Sequence, residues 1–520
     1  MMTAKEVPHM TVQALSNAQD LYKSTRADHS AMNRMGRSQE LVRYYDFLSM
    51  LSFAAIATSA WQLTLFQATP ALENGGLAGS TWSTIWAFFL FIPIYLSMAE
   101  MASIAPIAGA QYHWVSEFAP DSWQRLLSYV EGWLSTLAWQ AGNASGMFLA
   151  GTLIQSIVLI NNEDYPSPNW QGTLFVMAVI VMATLVNIYG SSIIPRLQTP
   201  FFALSVVTYI ALMVVIWVRA PAATSTQVWT EWKSLAGWSP VPLAVMIGQL
   251  SSMGNYTGVD TVAHMSEEVK DSPRKVPRIM LAVFGANSLQ ILFTTITMSY
   301  HLPDVDASLQ DSTTYPAIYI MKAAMPLPWV TTMLTLICFF LMLGNVSFLA
   351  ATTRDMFAFA RDQGLPFSVW ISKVDKDRKI PVNSYILSGI LCTLLSLIYI
   401  GSSTAFYAII SLGVIATLQC YMISIGCILW RRIYFPETIP ERSFALGRWG
   451  VFTNATAVLL CGWALFWSAW PTEYPVTAAT FNWASPIFAL TAICSIVSYY
   501  YWGRKRYVGP VHLIEDRKLM

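Results

Sequence analysis

Residues 241–278 read VPLAVMIGQLSSMGNYTGVDTVAHMSEEVKDSPRKVPR. The stretch begins as an apolar helix long enough to enter a bilayer. It is interrupted at Gly254-Asn255-Tyr256-Thr257-Gly258, resumes with Asp260, His264, Glu267 and Glu268, and ends in a loop carrying Lys270, Arg274, Lys275 and Arg278. Two glycines bracketing polar residues predict an unwound turn. At membrane depth such backbone is tolerated only where it is buried in protein or lines a cavity. Asp260, His264 and Glu268 recur at i, i+4 and i+8, so they share one helical face. Ionisable groups in or beside a membrane helix are candidates for function. For Glu267 and Glu268 a place among the headgroups explains the same pattern.

Composition agrees with a membrane setting. Hydrophobic residues make up 55% and charged residues 11% of the 520-residue chain, against roughly 25% charged in soluble domains. A net charge of +1 gives nucleic acid nothing to bind, so no nucleic-acid partner is expected. The partner of this surface is the lipid bilayer. All six cysteines (Cys338, Cys392, Cys420, Cys427, Cys461 and Cys494) fall in apolar segments. They read as small core residues rather than as a disulfide framework or zinc site. No cleaved signal peptide is evident at the start.

Residues 1–45 are polar, mixed in charge and without an apolar stripe, which predicts a largely disordered tail. Twelve apolar segments follow, near 46–69, 82–104, 124–159, 172–190, 197–218, 241–264, 279–299, 328–353, 382–400, 405–430, 449–470 and 483–503. Each can cross about 30 Å of hydrocarbon. With the amino terminus inside, all but Arg219, Lys233 and Lys322 of the 30 Lys and Arg residues fall on the cytoplasmic side or its edge. That is the positive-inside pattern, and it puts both termini in the cytoplasm. The first segment also carries a polar interruption, Ala57-Thr58-Ser59-Ala60. Interrupted first and sixth segments suggest inverted repeats with a site between them.

Four stretches carry a family resemblance: AEMASIAPIAGAQYHW (99–114), EGWLSTLAWQAGNAS (131–145), GVDTVAHMSEEVKDSPRKVPR (258–278) and TTRDMFAFARDQGLPFS (352–368). In this order the sequence resembles the amino acid–polyamine–organocation transporter superfamily, and within it the fungal amino acid/choline/γ-aminobutyrate permeases. The resemblance implies an all-α membrane protein of twelve helices with a LeuT-like five-plus-five inverted repeat. The implied repeats are residues 46–218 and 241–430, with two peripheral helices in 449–503 and a cytoplasmic tail at 504–520. It implies a substrate site at the broken first and sixth helices, formed by Thr58, Ser59, Ala60 and Trp61 with Gly254, Asn255, Tyr256, Thr257 and Asp260. Trp139 and Gln140 are further lining candidates. In relatives, amides of the first break receive a substrate carboxylate; here Ala-Thr-Ser-Ala stands where many have glycines, which keeps choline-like substrates open.

The implied function is secondary active transport of an amino acid or amine such as γ-aminobutyrate or choline, with a proton as coupling ion. Asp260, His264, Glu267, Glu268 and Arg354 are the gate and coupling candidates, with Glu267 and Glu268 expected to pair with Arg354. Some relatives use a lysine in the fifth span for proton coupling. Residues 197–218 contain no charge, so coupling would rest on Asp260, Glu267 or Glu131. Exchange or facilitated transport stays open. A nutrient sensor of the same fold is the alternative. The plasma membrane is the expected location, the vacuolar membrane the other option. The chain has no Gly-rich phosphate loop and no nucleophile–base pairing, so no enzyme and no cofactor are expected. His264 and Glu267 have the spacing of half a metal site without a second half, so no metal is expected.

Overall fold

Long apolar runs punctuated by Pro and Gly fold into helices, because in lipid a helix satisfies every backbone polar group internally. The computed structural model describes residues 22–513 apart from 163, 314, 402 and 479. In chain order its main elements are α1 (Arg26–Arg34), α2 (Phe47–Thr58), α3 (Ala60–Phe66), α4 (Thr69–Ile104), α5 (Ala110–Phe118), α6 (Gln124–Asn161), α7 (Asn169–Gly190), α8 (Ile194–Arg219), α9 (Val241–Gly254), α10 (Thr261–His264), α11 (Ser272–Tyr300), α12 (Leu327–Arg361), α13 (Val382–Ser396), α14 (Ser403–Tyr434), α15 (Gly450–Ser468) and α16 (Ala484–Ser498).

Among the described residues, eleven helical stretches are long and apolar enough to cross a membrane, α2 and α3 together forming one. The expected sixth span is instead divided into the shorter apolar helix α9 and the single turn α10. Helices α9 and α11 lie along α4, and α6 packs between α12 and α14. The outward sides of the bundle carry bare apolar residues such as Val218, Leu289 and Leu459. A soluble protein rarely exposes so much apolar surface, and here it faces lipid. Cys494, expected in the core, lies on this exposed surface; the other five cysteines are buried.

The polar segment before residue 46, expected to be disordered, is ordered from residue 22 onward. Its few apolar residues, Met32, Met35, Leu41, Val42 and Tyr45, are buried. Four of its charges, Asp28, Arg34, Arg37 and Arg43, are committed to distant partners on the bundle. Arg34 donates to Glu117 at 2.9 Å and to the Ile104 carbonyl at 2.6 Å, and Arg37 pairs with Asp362. Fully buried Arg43 donates to the Ser266 carbonyl at 2.9 Å and lies 3.3 Å from Asp28. Tyr45 forms a parallel bridge to Val269. Composition misses this order because the stabilising partners lie far along the chain.

Asp28 explains why α11 starts where it does. Its carboxylate accepts from the backbone amides of Asp271 and Ser272 at 3.0 and 2.9 Å and from the Ser272 hydroxyl at 3.1 Å. A carboxylate at a helix N-terminus satisfies orphan amides and complements the helix dipole. Burial opposes its charge, but the Arg43 guanidinium and the Thr25 and Ser272 amides outweigh burial and hold the carboxyl below the usual carboxylate range. Its contribution is therefore present at neutral pH and lost as pH falls through the native value. Asp28→Asn leaves Arg43 buried without its counter-charge. It should destabilise the purified protein by about 3 kcal/mol, read as an earlier thermal unfolding midpoint at pH 7. A midpoint equal to that of the native protein would show that the cap contributes nothing.

Candidate functional site

Two helix breaks meet inside the bundle. Between α2 and α3 the chain turns at Ser59, which adopts left-handed backbone angles of φ 44° and ψ 41°. A side chain in this region costs roughly 1–2 kcal/mol, so the surroundings must hold it. Thr58 returns its hydroxyl to the Ala54 carbonyl at 3.0 Å and Ser59 to the Ile56 carbonyl at 3.0 Å. Asn287 of α11 donates to the Thr58 hydroxyl at 2.8 Å. Helix α12 approaches closely because residue 344 is glycine: a Cβ there would fall 2.3 Å from the Ser59 hydroxyl. Between α9 and α10 the turn passes through Gly258 at φ 89°. A Cβ on Gly258 would lie 3.7 Å from the Thr58 methyl, so the breaks are neighbours.

A cavity of about 110 Å³ lies where they meet. Of the predicted binding residues, Thr58, Ser59, Gly254, Thr257 and Asp260 line it. Helix α6 supplies Trp139, Gly142, Ser145 and Gly146; α12 supplies Asn345 and Phe348; α14 supplies Gly413 and Thr417. Sequence reading singled out Trp139 but missed the rest. The four-residue spacing of Gly142 and Gly146 was the available signal, since it marks one small-residue face.

Five predicted lining residues lie elsewhere. Ala60 is buried in the core. The Trp61 ring turns to Tyr209 and donates to Ser205 at 3.3 Å. Gln140 donates to Ser388 at 2.8 Å. Asn255 borders a separate pocket of about 10 Å³. Tyr256 packs against Phe91, and its hydroxyl donates to the Thr84 carbonyl at 3.2 Å. Ala60, Trp61, Asn255 and Tyr256 lie in or beside a break, where the unwound turn no longer follows helical spacing and side chains diverge, whereas Gln140 lies within the continuous helix α6 on the face that meets Ser388 of α13.

Asp260 is the only charged residue in the cavity wall among those described. Gln111 donates to one of its oxygens at 2.7 Å and Tyr421 to the other at 2.7 Å. His264 lies one turn on, its Nε2 3.8 Å from the carboxylate. The Nδ1 of His264 is 2.8 Å from the Ala108 carbonyl, which requires the hydrogen on Nδ1. Nε2 has no hydrogen-bond partner. On its far side His264 approaches Asp355 at 3.6 Å. Asp355 in turn accepts from Ser135 at 2.7 Å. The ring of Trp139 meets His264 edge-on at 4.7 Å.

Between this network and the basic face lie two buried ion pairs. Glu268 pairs with Arg354 at 2.7 Å, as expected. Glu267 does not. It is held by two hydrogen bonds from Arg361, at 2.9 and 3.2 Å, and accepts from the Ala108 amide at 3.2 Å. The reason is geometric: Ser266–Glu268 is a tight 3₁₀ turn, so successive acids point to different neighbours. On the opposite side the cavity shares Gln67, Gly254, Ile410 and Val414 with a larger one of about 350 Å³.

The fold is a helical membrane domain with interrupted helices around a cavity that carries one buried acid, and comparison with known proteins gives its family. The chain belongs to the amino acid permease family, whose model matches residues 48–494. It is similar to the GABA-specific permease of Saccharomyces cerevisiae, 26% identical over 515 residues, covering 94% of this chain and 86% of that protein. The choline transporter of the same yeast is 23% identical over 484 residues, covering 92% and 84%. The amino-acid permease BAT1 of Arabidopsis thaliana is 26% identical over 510 residues, covering 92% and 95%. The protein is therefore an integral, multi-pass membrane permease and not an enzyme.

The ion-pair layout sets a test. Arg354→Gln strands Glu268 and should slow flux several-fold at matched surface expression. Exchanging both charges, Arg354→Glu with Glu268→Arg, should recover part of it, whereas Glu267→Arg with Arg354→Glu should not. Equal recovery by both double variants would refute the pairing.

Proposed function

We propose that the protein moves a small amine or amino acid through the cavity between the two helix breaks by alternating access, with proton entry driving uptake. What carries this reading is the convergence of Thr58, Ser59, Thr257 and Asp260 on one cavity whose wall has an acid and no described Lys or Arg. Each Asp260 oxygen accepts one hydrogen bond, and a carboxylate has capacity for about four, so a substrate ammonium can still be received. Trp139 and Phe348, their rings 4.8 Å apart, add aromatic faces that attract ammonium groups. The pairing of the two interrupted segments supports an inverted repeat over residues 46–218 and 241–430. The names of the relatives support γ-aminobutyrate, choline and amino acids as the substrate classes to examine. The basic face, with its buried ion pairs, is read as cytoplasmic by the positive-inside pattern, which places both termini there and makes the opposite, larger cavity the entrance. The plasma membrane is the location proposed.

Radiolabelled uptake in transport-deficient cells, measured for γ-aminobutyrate, choline, amino acids and polyamines at two external pH values, tests the proposal. Amines with little or no opposing carboxylate charge should be preferred over glutamate and aspartate, and uptake should rise at the lower pH. Stronger competition by the acidic amino acids would overturn the site reading. Asp260→Asn keeps size and most hydrogen bonding but removes the charge. It should raise the apparent KM at least tenfold, about 1.4 kcal/mol, while surface expression persists. Unchanged affinity and pH profile would make Asp260 structural.

A further inference from the structure

Three buried acids are candidates to carry the driving proton, and their surroundings differ. Glu267 is committed to Arg361 and the Ala108 amide, and Asp260 is held by Gln111 and Tyr421 at the cavity. Glu131 of α6 is different. It is 0% exposed, and its carboxyl oxygens meet no hydrogen-bond donor other than the thiol of Cys420 on α14, a weak one. An ionised carboxylate without partners in such surroundings costs far more than a neutral one.

Its position links it to the cavity. Glu131 lies one helical turn before Ser135 on the same face of α6, and Ser135 donates to Asp355 at 2.7 Å. Asp355 faces His264 at 3.6 Å, and the unpartnered Nε2 of His264 faces Asp260 at 3.8 Å. Its titratable neighbours are Asp355 from α12 and Cys420 and Cys427 from α14, the Cys420 thiol within hydrogen-bonding reach, with no Lys, Arg or His among them. Arg431, further along α14, is turned away to the Phe118 and Ala119 carbonyls and to Asp121. Glu131 thus sits at the inner end of a row of titratable groups that begins in the substrate cavity, and it is the acid of that row with only a thiol for a partner.

We infer that Glu131 is the seat of the transported proton, loaded from the cavity through Asp260, His264 and Asp355 and emptied when the ion pairs of the basic face part and admit water. This rests on the proposed permease function and adds to it the residue that couples. The step is proton transfer alone: the carboxyl oxygen gains a proton from cavity water and later returns it to water on the other side. Substrate and proton are linked because Asp260 faces both the cavity and His264. A charged Asp260–substrate pair and a charged Glu131 compete for the same row of protons.

The test uses the full-length protein in proteoliposomes, with a pH dye inside and labelled γ-aminobutyrate, choline and lysine as three parallel probes. Native protein should acidify the lumen as it takes up a probe. Glu131→Gln should still exchange that probe in counterflow but lose substrate-driven acidification, and its uptake should become independent of external pH. A glutamine variant that still acidifies the lumen overturns the assignment. So does native protein that takes up a probe without acidification. If native protein exchanges none of the three, the substrate reading fails by itself. In that case, or if the variant does not fold, labelling of native protein with dicyclohexylcarbodiimide decides, because this reagent attacks protonated carboxyls in apolar surroundings. Mass spectrometry should find Glu131 modified, less so as pH rises. Modification confined to other carboxyls rejects the proposal.

Discussion

A helix interrupted inside a membrane must find partners for the backbone groups it releases, and here two interruptions are placed against each other. The left-handed turn at Ser59 is held by hydroxyls returned to α2, by Asn287 from α11 and by the space that Gly344 leaves on α12. The turn at Gly258 needs a residue without a Cβ and lies beside the Thr58 methyl. Neither turn is stable as an isolated peptide feature. Strain at such positions persists only where the surrounding structure over-determines it. The cavity is the space left between two backbones that cannot close on each other.

From that constraint the distribution of charge follows. Polar groups near the cavity are spent on fixing Asp260, which retains capacity for a further partner. Groups between cavity and basic face are arranged as buried pairs, Glu268 with Arg354 and Glu267 with Arg361. Such pairs add little net stability compared with apolar packing. Under the proposed alternating access they suit a contact that forms and dissolves, since their desolvation cost is recovered once water enters. Stability at this face comes instead from the ordered segment before α2.

The helical membrane class, the family and the interruption near Gly254 were legible in the sequence because each depends on local composition or a contiguous motif. Asp260 was legible for the same reason: one acid after a glycine turn in an apolar run has few structural explanations. Trp61 and Tyr256 were misplaced because direction around an irregular turn cannot be read from spacing, and Gln140 because packing against α13 decides which face of α6 it takes. The Arg361 partner of Glu267 was missed because a 3₁₀ turn redirects adjacent side chains. The ordered segment from residue 22 to 45 was read as a tail because its stability resides in Asp28, Arg34, Arg37 and Arg43. Their partners at Ser272, Glu117, Asp362 and Ser266 are distant in sequence. The turn at Ser59 was only half visible, since nothing in Ala-Thr-Ser-Ala demands a left-handed residue until Asn287 and Gly344 are in place.

That same segment imposes an order on biosynthesis. Arg43 leaves the ribosome early, yet its Ser266 acceptor lies 223 residues further along, and the Ser272 amide that Asp28 caps emerges later still. Chains are made amino terminus first, so Arg43 and Asp28 wait for these acceptors and amides while five spans and then the interrupted sixth are made. The latch over the basic face can therefore close only after the cavity-forming turn at Gly258 is in the membrane, which makes closure a late signal that the first half of the bundle has met the second.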